Sequence, residues 1–170
     1  VKNAEAVHFA DSIAACRLIS KAVVVGQPVF DLSGGTGFPG LAFAILFPKH
    51  KVVILDRDTK KFEFPKHVTS VLGLSNVSFE AKSLDDLAPG SVWNLVSRSN
   101  APLMKAMLGA RKVVAQGGRF FHVKSDSWAT ELSSVPSQLF SFWSPSLIGQ
   151  YRVPDTSLDF SVVQTEKIAE

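Results

Sequence analysis

Short apolar runs alternate with longer segments of helical spacing along most of the chain. Residues 29–32 read as a buried strand, followed by a glycine-rich turn and an apolar helix near 41–47. Residues 52–55 form a second apolar run that ends at Asp56, and 77–79, 95–97 and 120–123 read as three further strands. Runs this short, apolar at successive positions and bounded by turn residues, fit strands covered on both faces. Between them, 59–72 predicts a helix, with a kink or broken first turn near Phe64 because Pro65 removes a backbone donor and crowds the preceding turn. Residues 101–115 predict another helix, stopped by Gly117-Gly118. The alternation predicts an α/β fold: a doubly wound, mostly parallel sheet with helices on both faces.

The tail has a different texture. Residues 125–145 are rich in Ser, Phe and Trp with weak periodicity. Then 149–153 and 158–165 read as two strands around the turn Pro154-Asp155-Thr156, a C-terminal antiparallel hairpin. The expectation is one domain over 1–170, with a helical lead-in over 1–25 and the α/β core over 26–170.

Composition narrows the class. With 170 residues, 46% hydrophobic and 19% charged, the chain has material for a real core and is not of the disordered type. No apolar stretch approaches the roughly 18 residues of a membrane span, and no signal peptide is visible, so no membrane partner and a cytoplasmic location are expected. The lone Cys16 sits in the apolar run Ile13-Ala14-Ala15-Cys16 and reads as a buried thiol, in keeping with a reducing compartment. With one cysteine and scattered His8, His50, His67 and His122, no metal site is expected. A net charge of +3 is compatible with a nucleic-acid partner but does not demand one.

The strongest local signal is Asp31-Leu32-Ser33-Gly34-Gly35-Thr36-Gly37-Phe38-Pro39-Gly40, lying between a strand and a helix. Glycines there allow a sharp turn and close approach of a ligand to the backbone. Asp56 follows Gly37 by nineteen residues at the end of the next strand, the spacing of an acid that accepts from ribose hydroxyls. The pair points to a nucleoside-containing cofactor, either a dinucleotide or S-adenosylmethionine.

Several further motifs occur in a recognisable order. His8 with Asp11, Ser12 and Ile13 comes first, then the 31–40 turn with its Pro39-Gly40 ending. Leu55-Asp56 with Lys60-Lys61 and Phe64 follows, then Leu74-Ser75-Asn76-Val77, Ser97-Arg98 with Ala101, and Gly117-Gly118 with Lys124. In these the chain resembles the GidB/RsmG family of 16S ribosomal RNA guanine-N7 methyltransferases. It departs from the family pattern at Ser33, Ser83 and Ser125, and at Leu158-Asp159, where the family carries an arginine. The resemblance implies a class I S-adenosylmethionine-dependent methyltransferase, Rossmann-like with a C-terminal hairpin. It also implies ribosomal RNA or the small ribosomal subunit as partner; a monomer is expected.

By the resemblance, Asp31, Gly35 and Gly37 hold the methionine end of S-adenosyl-L-methionine, and Ser33 and Phe38 also bind the cofactor. Asp56 holds the ribose, Leu84 and Asp85 meet the adenine, and Arg98 faces the same crevice. Arg98 and Lys124 are the candidates for the catalytic, RNA-facing side. Guanine N7 bears a lone pair and no proton, so the transfer needs position and no general base. Each residue also has a plainer role open to it: Asp31 as a cap, Asp85-Asp86 as a solvated loop, Arg98 in an ion pair, Lys124 as a surface lysine. Lys49, Lys51, Arg57, Lys60 and Lys61 are either an RNA-facing patch or solvated charges, and Phe140, Phe142 and Trp143 either stack on bases or cover the sheet. Two rival functions stay open. One is a divergent GidB-like paralogue that binds S-adenosylmethionine or S-adenosylhomocysteine for another substrate or a non-catalytic regulatory role; the other is a nicotinamide-dependent enzyme.

Overall fold

The computed structural model describes residues 6–32, 36–98 and 101–170. Its strands are β1 (Val29–Asp31), β2 (Val52–Leu55), β3 (Val77–Glu80), β4 (Val92–Arg98), β5 (Val114–Ser125), β6 (Trp143–Arg152) and β7 (Asp159–Lys167). Its α-helices are α1 (Asp11–Ile19), α2 (Gly40–Leu46), α3 (Glu63–Leu72), α4 (Leu103–Ala110) and α5 (Trp128–Ser133). The strands form one sheet in the order β3-β2-β1-β4-β5-β7-β6. The first five run parallel, each needing a crossover, whereas β7 slots antiparallel between β5 and β6.

Alternation along the central strands divides the interior into two cores. Val96, Phe121 and Val123 pack with α1, α2 and Phe62, while Leu95 and Phe120 pack with α4, Leu139 and Trp143 on the other face. β2 is buried at every position, as its unbroken apolar run requires of a strand covered on both sides. Phe140, Phe142 and Trp143 join the second core, so the aromatic cluster covers the sheet. No helix among the described residues is long and apolar enough to cross a membrane.

Two sequence expectations change, and a third resolves between its alternatives. The helix expected over 101–115 ends at Ala110, because Val113 and Val114 are fully buried at the entrance to β5. Gly117-Gly118 accordingly stops no helix. Two steps of β4, Val92 to Asn94, face five of β5, Val114 to Arg119, and the glycines occupy the resulting bulge with φ +81° at Gly117. Of the kink or broken first turn expected near Phe64, the structure has the second: residues Thr59–Phe62 form a 3₁₀ turn and the α-helix starts at Glu63, with Pro65 its third residue, where a backbone N–H lacks an intrahelical partner in any case. Strand β6 begins at Trp143, ahead of the expected 149, since an edge strand tolerates Pro145.

Candidate functional site

The chain order reverses between β1 and β4, which places a crevice beyond the carboxyl ends of these neighbouring strands. The candidate residues divide by charge across this switch point. Asp31 ends β1, Asp56 follows β2 and Asp85 lies in a 3₁₀ turn after β3, whereas Arg98 ends β4 and Lys124 lies one residue from the end of β5. Among these candidates the carboxylates lie on the β1-β2-β3 half of the edge and the cations on the β4-β5 half, although Arg57, Lys60 and Lys61 also follow β2.

Asp31 is fully buried, and its Oδ2 accepts from the backbone N of Gly40 at 2.6 Å, tying the strand to the first residue of α2. A side chain at Gly40 would collide with that carboxylate. Gly37 has φ +72°, and a Cβ there would lie 2.9 Å from Pro65 Cβ, so its bareness admits α3 against the turn. Phe38 is buried and meets the Phe9 ring edge-on at 5.0 Å. Ser33 and Gly35 lie outside the described residues. Asp56 is mostly enclosed: Oδ1 accepts from Asp58 N at 2.9 Å, and Oδ2 meets Lys61 Nζ at 3.1 Å. Leu84 packs beneath the edge against the second core. Asp85 is exposed and has no cationic partner among the described residues. Its neighbour Asp86 caps the turn, accepting from Ser83 N at 2.8 Å and Ser83 Oγ at 2.9 Å. Those two bonds, the backbone one first, hold its carboxyl below the ordinary range.

The cations are held from within the fold. Arg98 Nε lies 2.6 Å from Asp11 Oδ2, and Nη1 lies 3.1 Å from His8 Nδ1. Tyr151 donates its hydroxyl to Asp11 Oδ1. Burial raises the carboxyl of Asp11, opposed by the Tyr151 bond and the charge of Arg98; burial and Asp11 together push the Tyr151 phenol upward. Lys124 is 8% exposed at its side chain and pairs with Glu131 of α5 at 2.8 Å while donating to the carbonyl of Ala101. Glu131 also accepts from Leu103 N at 2.9 Å.

Sequence reasoning missed Tyr151 and Glu131, and it named Asp11 without giving it a partner. The signal for Asp11 lay in α1, where an acid shares the buried stripe with Ala15, Cys16 and Ile19 and therefore needs a cation. Lys49 and Lys51 precede β2, while Arg57, Lys60 and Lys61 follow it. The five basic residues thus occupy opposite edges of the sheet and form no single patch.

The set of acceptors suits a particular kind of ligand. Buried and exposed carboxylates at the ends of three adjacent strands accept hydrogen bonds and favour positive charge, which fits a molecule carrying an ammonium, ribose hydroxyls and an exocyclic amine.

A parallel sheet whose seventh strand enters antiparallel between the fifth and sixth is the architecture of class I S-adenosylmethionine-dependent methyltransferases. Within that class the chain belongs to the GidB family, rRNA small subunit methyltransferase G, whose model matches residues 1–142. It is 45% identical over 166 residues to ribosomal RNA small subunit methyltransferase G 3 of Bdellovibrio bacteriovorus, covering 98% of this chain and 75% of that protein. Among solved structures it is similar to YcgJ of Bacillus subtilis, with a TM-score of 0.67, 16% identity, and 94% and 99% of the two chains covered. It is also similar to a geranyl diphosphate methyltransferase in complex with S-adenosylmethionine, with a TM-score of 0.63, 12% identity, and 92% and 85% covered.

Proposed function

We propose that the chain transfers the methyl group of S-adenosylmethionine to a guanine N7 of 16S ribosomal RNA. The observation that carries this reading is how the candidate residues divide at the carboxyl edge, with Asp31, Asp56 and Asp85 on one side of the switch point and Arg98 and Lys124 on the other. The three acids suit the cofactor, and Arg98 with Lys124 suits the RNA side. Asp31 and the turn after β1 hold the methionine end, Asp56 the ribose, and Leu84 with Asp85 the adenine. When bound, the cofactor supplies the electrophilic methyl carbon. On this reading the Arg98 guanidinium meets phosphate or the O6 and N7 edge of guanine. Lys124 fixes the start of α4 and α5 around that side through Ala101 and Glu131. Because N7 carries a free lone pair, these residues orient the base and exclude water, and none has to take a proton. Transfer of a tritiated methyl group to undermethylated 16S RNA is the expected result; unlabelled RNA overturns the assignment.

A second reading is favoured by one observation: both edge cations are already matched to carboxylates, Arg98 to Asp11 and Lys124 to Glu131. A GidB-like protein that binds S-adenosylmethionine or S-adenosylhomocysteine for another substrate or a regulatory role fits that pairing. Calorimetric binding of S-adenosylhomocysteine without any methyl transfer to RNA selects it.

A further inference from the structure

The edge of the sheet opposite the crevice, where β1 and β2 begin, contains a cleft of about 570 Å³ between residues 25–28 on one side and 49–51 on the other. Both walls are pinned by asparagines. Asn94, fully buried in β4, accepts from Val24 N at 2.7 Å and donates to the carbonyls of Val24 at 3.0 Å, Gln27 at 3.3 Å and Pro28 at 3.5 Å. Asn76 donates to the carbonyls of Ala44 at 3.1 Å and His50 at 3.0 Å. The His50 ring is braced edge-on against Phe43 at 5.5 Å.

These bonds have a chemical consequence. Three of the wall carbonyls, those of Gln27, Pro28 and His50, are taken up by the two asparagine amides, and that of Lys51 accepts from Val29 N. The charges left on the lining are the ammonium groups of Lys49 and Lys51, both exposed, and among the described residues neither has a carboxylate partner. No acid lines the cleft. A cationic recess of this size matches an acceptor-rich anionic group such as a phosphodiester, with Val25 and Pro28 as the wall beside the sugar.

We propose that this cleft binds the phosphodiester backbone of RNA at a second site, remote from the methyl-transfer crevice, with Lys49 and Lys51 as the phosphate contacts. The proposal rests on the RNA reading given above. Strand β2, about 13 Å long at roughly 3.3 Å per residue, separates the two edges, so an RNA that reaches both wraps the flank of the domain.

The test compares wild type with Lys49→Gln/Lys51→Gln, and with Lys105→Gln/Lys112→Gln as a control that removes equal charge elsewhere. An in vitro transcript of 16S ribosomal RNA is titrated across a series of salt concentrations. The first pair is expected to weaken binding about tenfold and to flatten the salt dependence by about 1.5 in log–log slope, with the control near wild type. Affinity for S-adenosylhomocysteine should be unchanged in all three proteins, which verifies folding. Equal losses in the two pairs, or no change in the first, overturn the site. Weakened association with intact small subunits but not with naked RNA also overturns it, since the cleft then meets a ribosomal protein. Failure of the underlying RNA reading is distinguishable: it is seen as absence of methyl transfer by the wild-type protein.

Discussion

Arg98 at the end of β4 reaches across the switch-point edge to Asp11, with Nε 2.6 Å from Oδ2. Asp11 has no exposed surface, so its charge is matched by the guanidinium and by the Tyr151 hydroxyl. Removing the acid takes from a largely enclosed arginine its carboxylate at 2.6 Å. Asp11→Ala is therefore expected to destabilise the fold by about 3 kcal/mol, the low end for a broken buried pair because Arg98 keeps some solvent. Urea unfolding measures this; a loss below about 1 kcal/mol would place the pair among surface ion pairs.

Asp56 offers a sharper test of the cofactor side. Its Oδ2 is engaged by Lys61 at 3.1 Å. If the carboxylate holds a ribose, Asp56→Ala should weaken S-adenosylhomocysteine binding by about 1.5–3 kcal/mol, the scale of a lost hydrogen bond to a charged group. Lys61→Met, which frees Oδ2, should leave affinity unchanged or improved. Calorimetry that finds Lys61→Met as damaging as Asp56→Ala would assign the contact to the lysine.

The parts of the fold written in the sequence are those whose pattern is local. β1, β2 and β3 are brief apolar runs closed by turns, and the acids after them stand out because a charge at the end of such a run has to face the sheet edge. The partners of those acids were not legible, because Gly40 N and Lys61 meet Asp31 and Asp56 only once the turns have closed. The entrance to β5 was misread for a related reason. Val113 and Val114 continue the apolar spacing of the preceding helix, and only burial at the sheet decides for strand. Pairs that join distant segments, Arg98 with Asp11 and Lys124 with Glu131, leave no periodic trace.

His122 makes stability depend on pH. Its ring is buried beside Phe120, with centroids 3.9 Å apart, and Nε2 lies 3.0 Å from Thr165 Oγ1. Burial, reinforced by the charge of Lys124, lowers its pKa from 6.5 to about 3. The unfolded chain therefore takes up a proton that the folded chain refuses between these values, and stability falls as pH drops from about 6.5 toward 3. At its steepest this one group changes the folded-to-unfolded ratio about tenfold per pH unit. His122→Gln removes the titration while keeping a polar group near Thr165, so its urea midpoint should fall less steeply than wild type between pH 6.5 and 4. Parallel pH profiles would remove His122 as the cause.

Glu131 joins three elements. It pairs with Lys124 of β5 at 2.8 Å, and its Oε2 also accepts from Leu103 N, the first residue of α4, at 2.9 Å. Lys124 in turn donates to the carbonyl of Ala101. Glu131→Ala would leave a nearly buried ammonium without its counter-charge and an α4 terminus without its acceptor, a loss of about 2 kcal/mol. The same change frees the edge cation to turn outward. If Lys124 acts as a direct RNA contact, Glu131→Ala should hold or raise kcat/KM for RNA methylation at temperatures where the variant stays folded. If Lys124 acts by fixing the loop after β4, kcat should fall severalfold while S-adenosylhomocysteine affinity is unchanged. The geometry favours the second outcome, since both acceptors of the ammonium belong to the segments that frame the crevice; a variant with undiminished kcat would reject the positioning role.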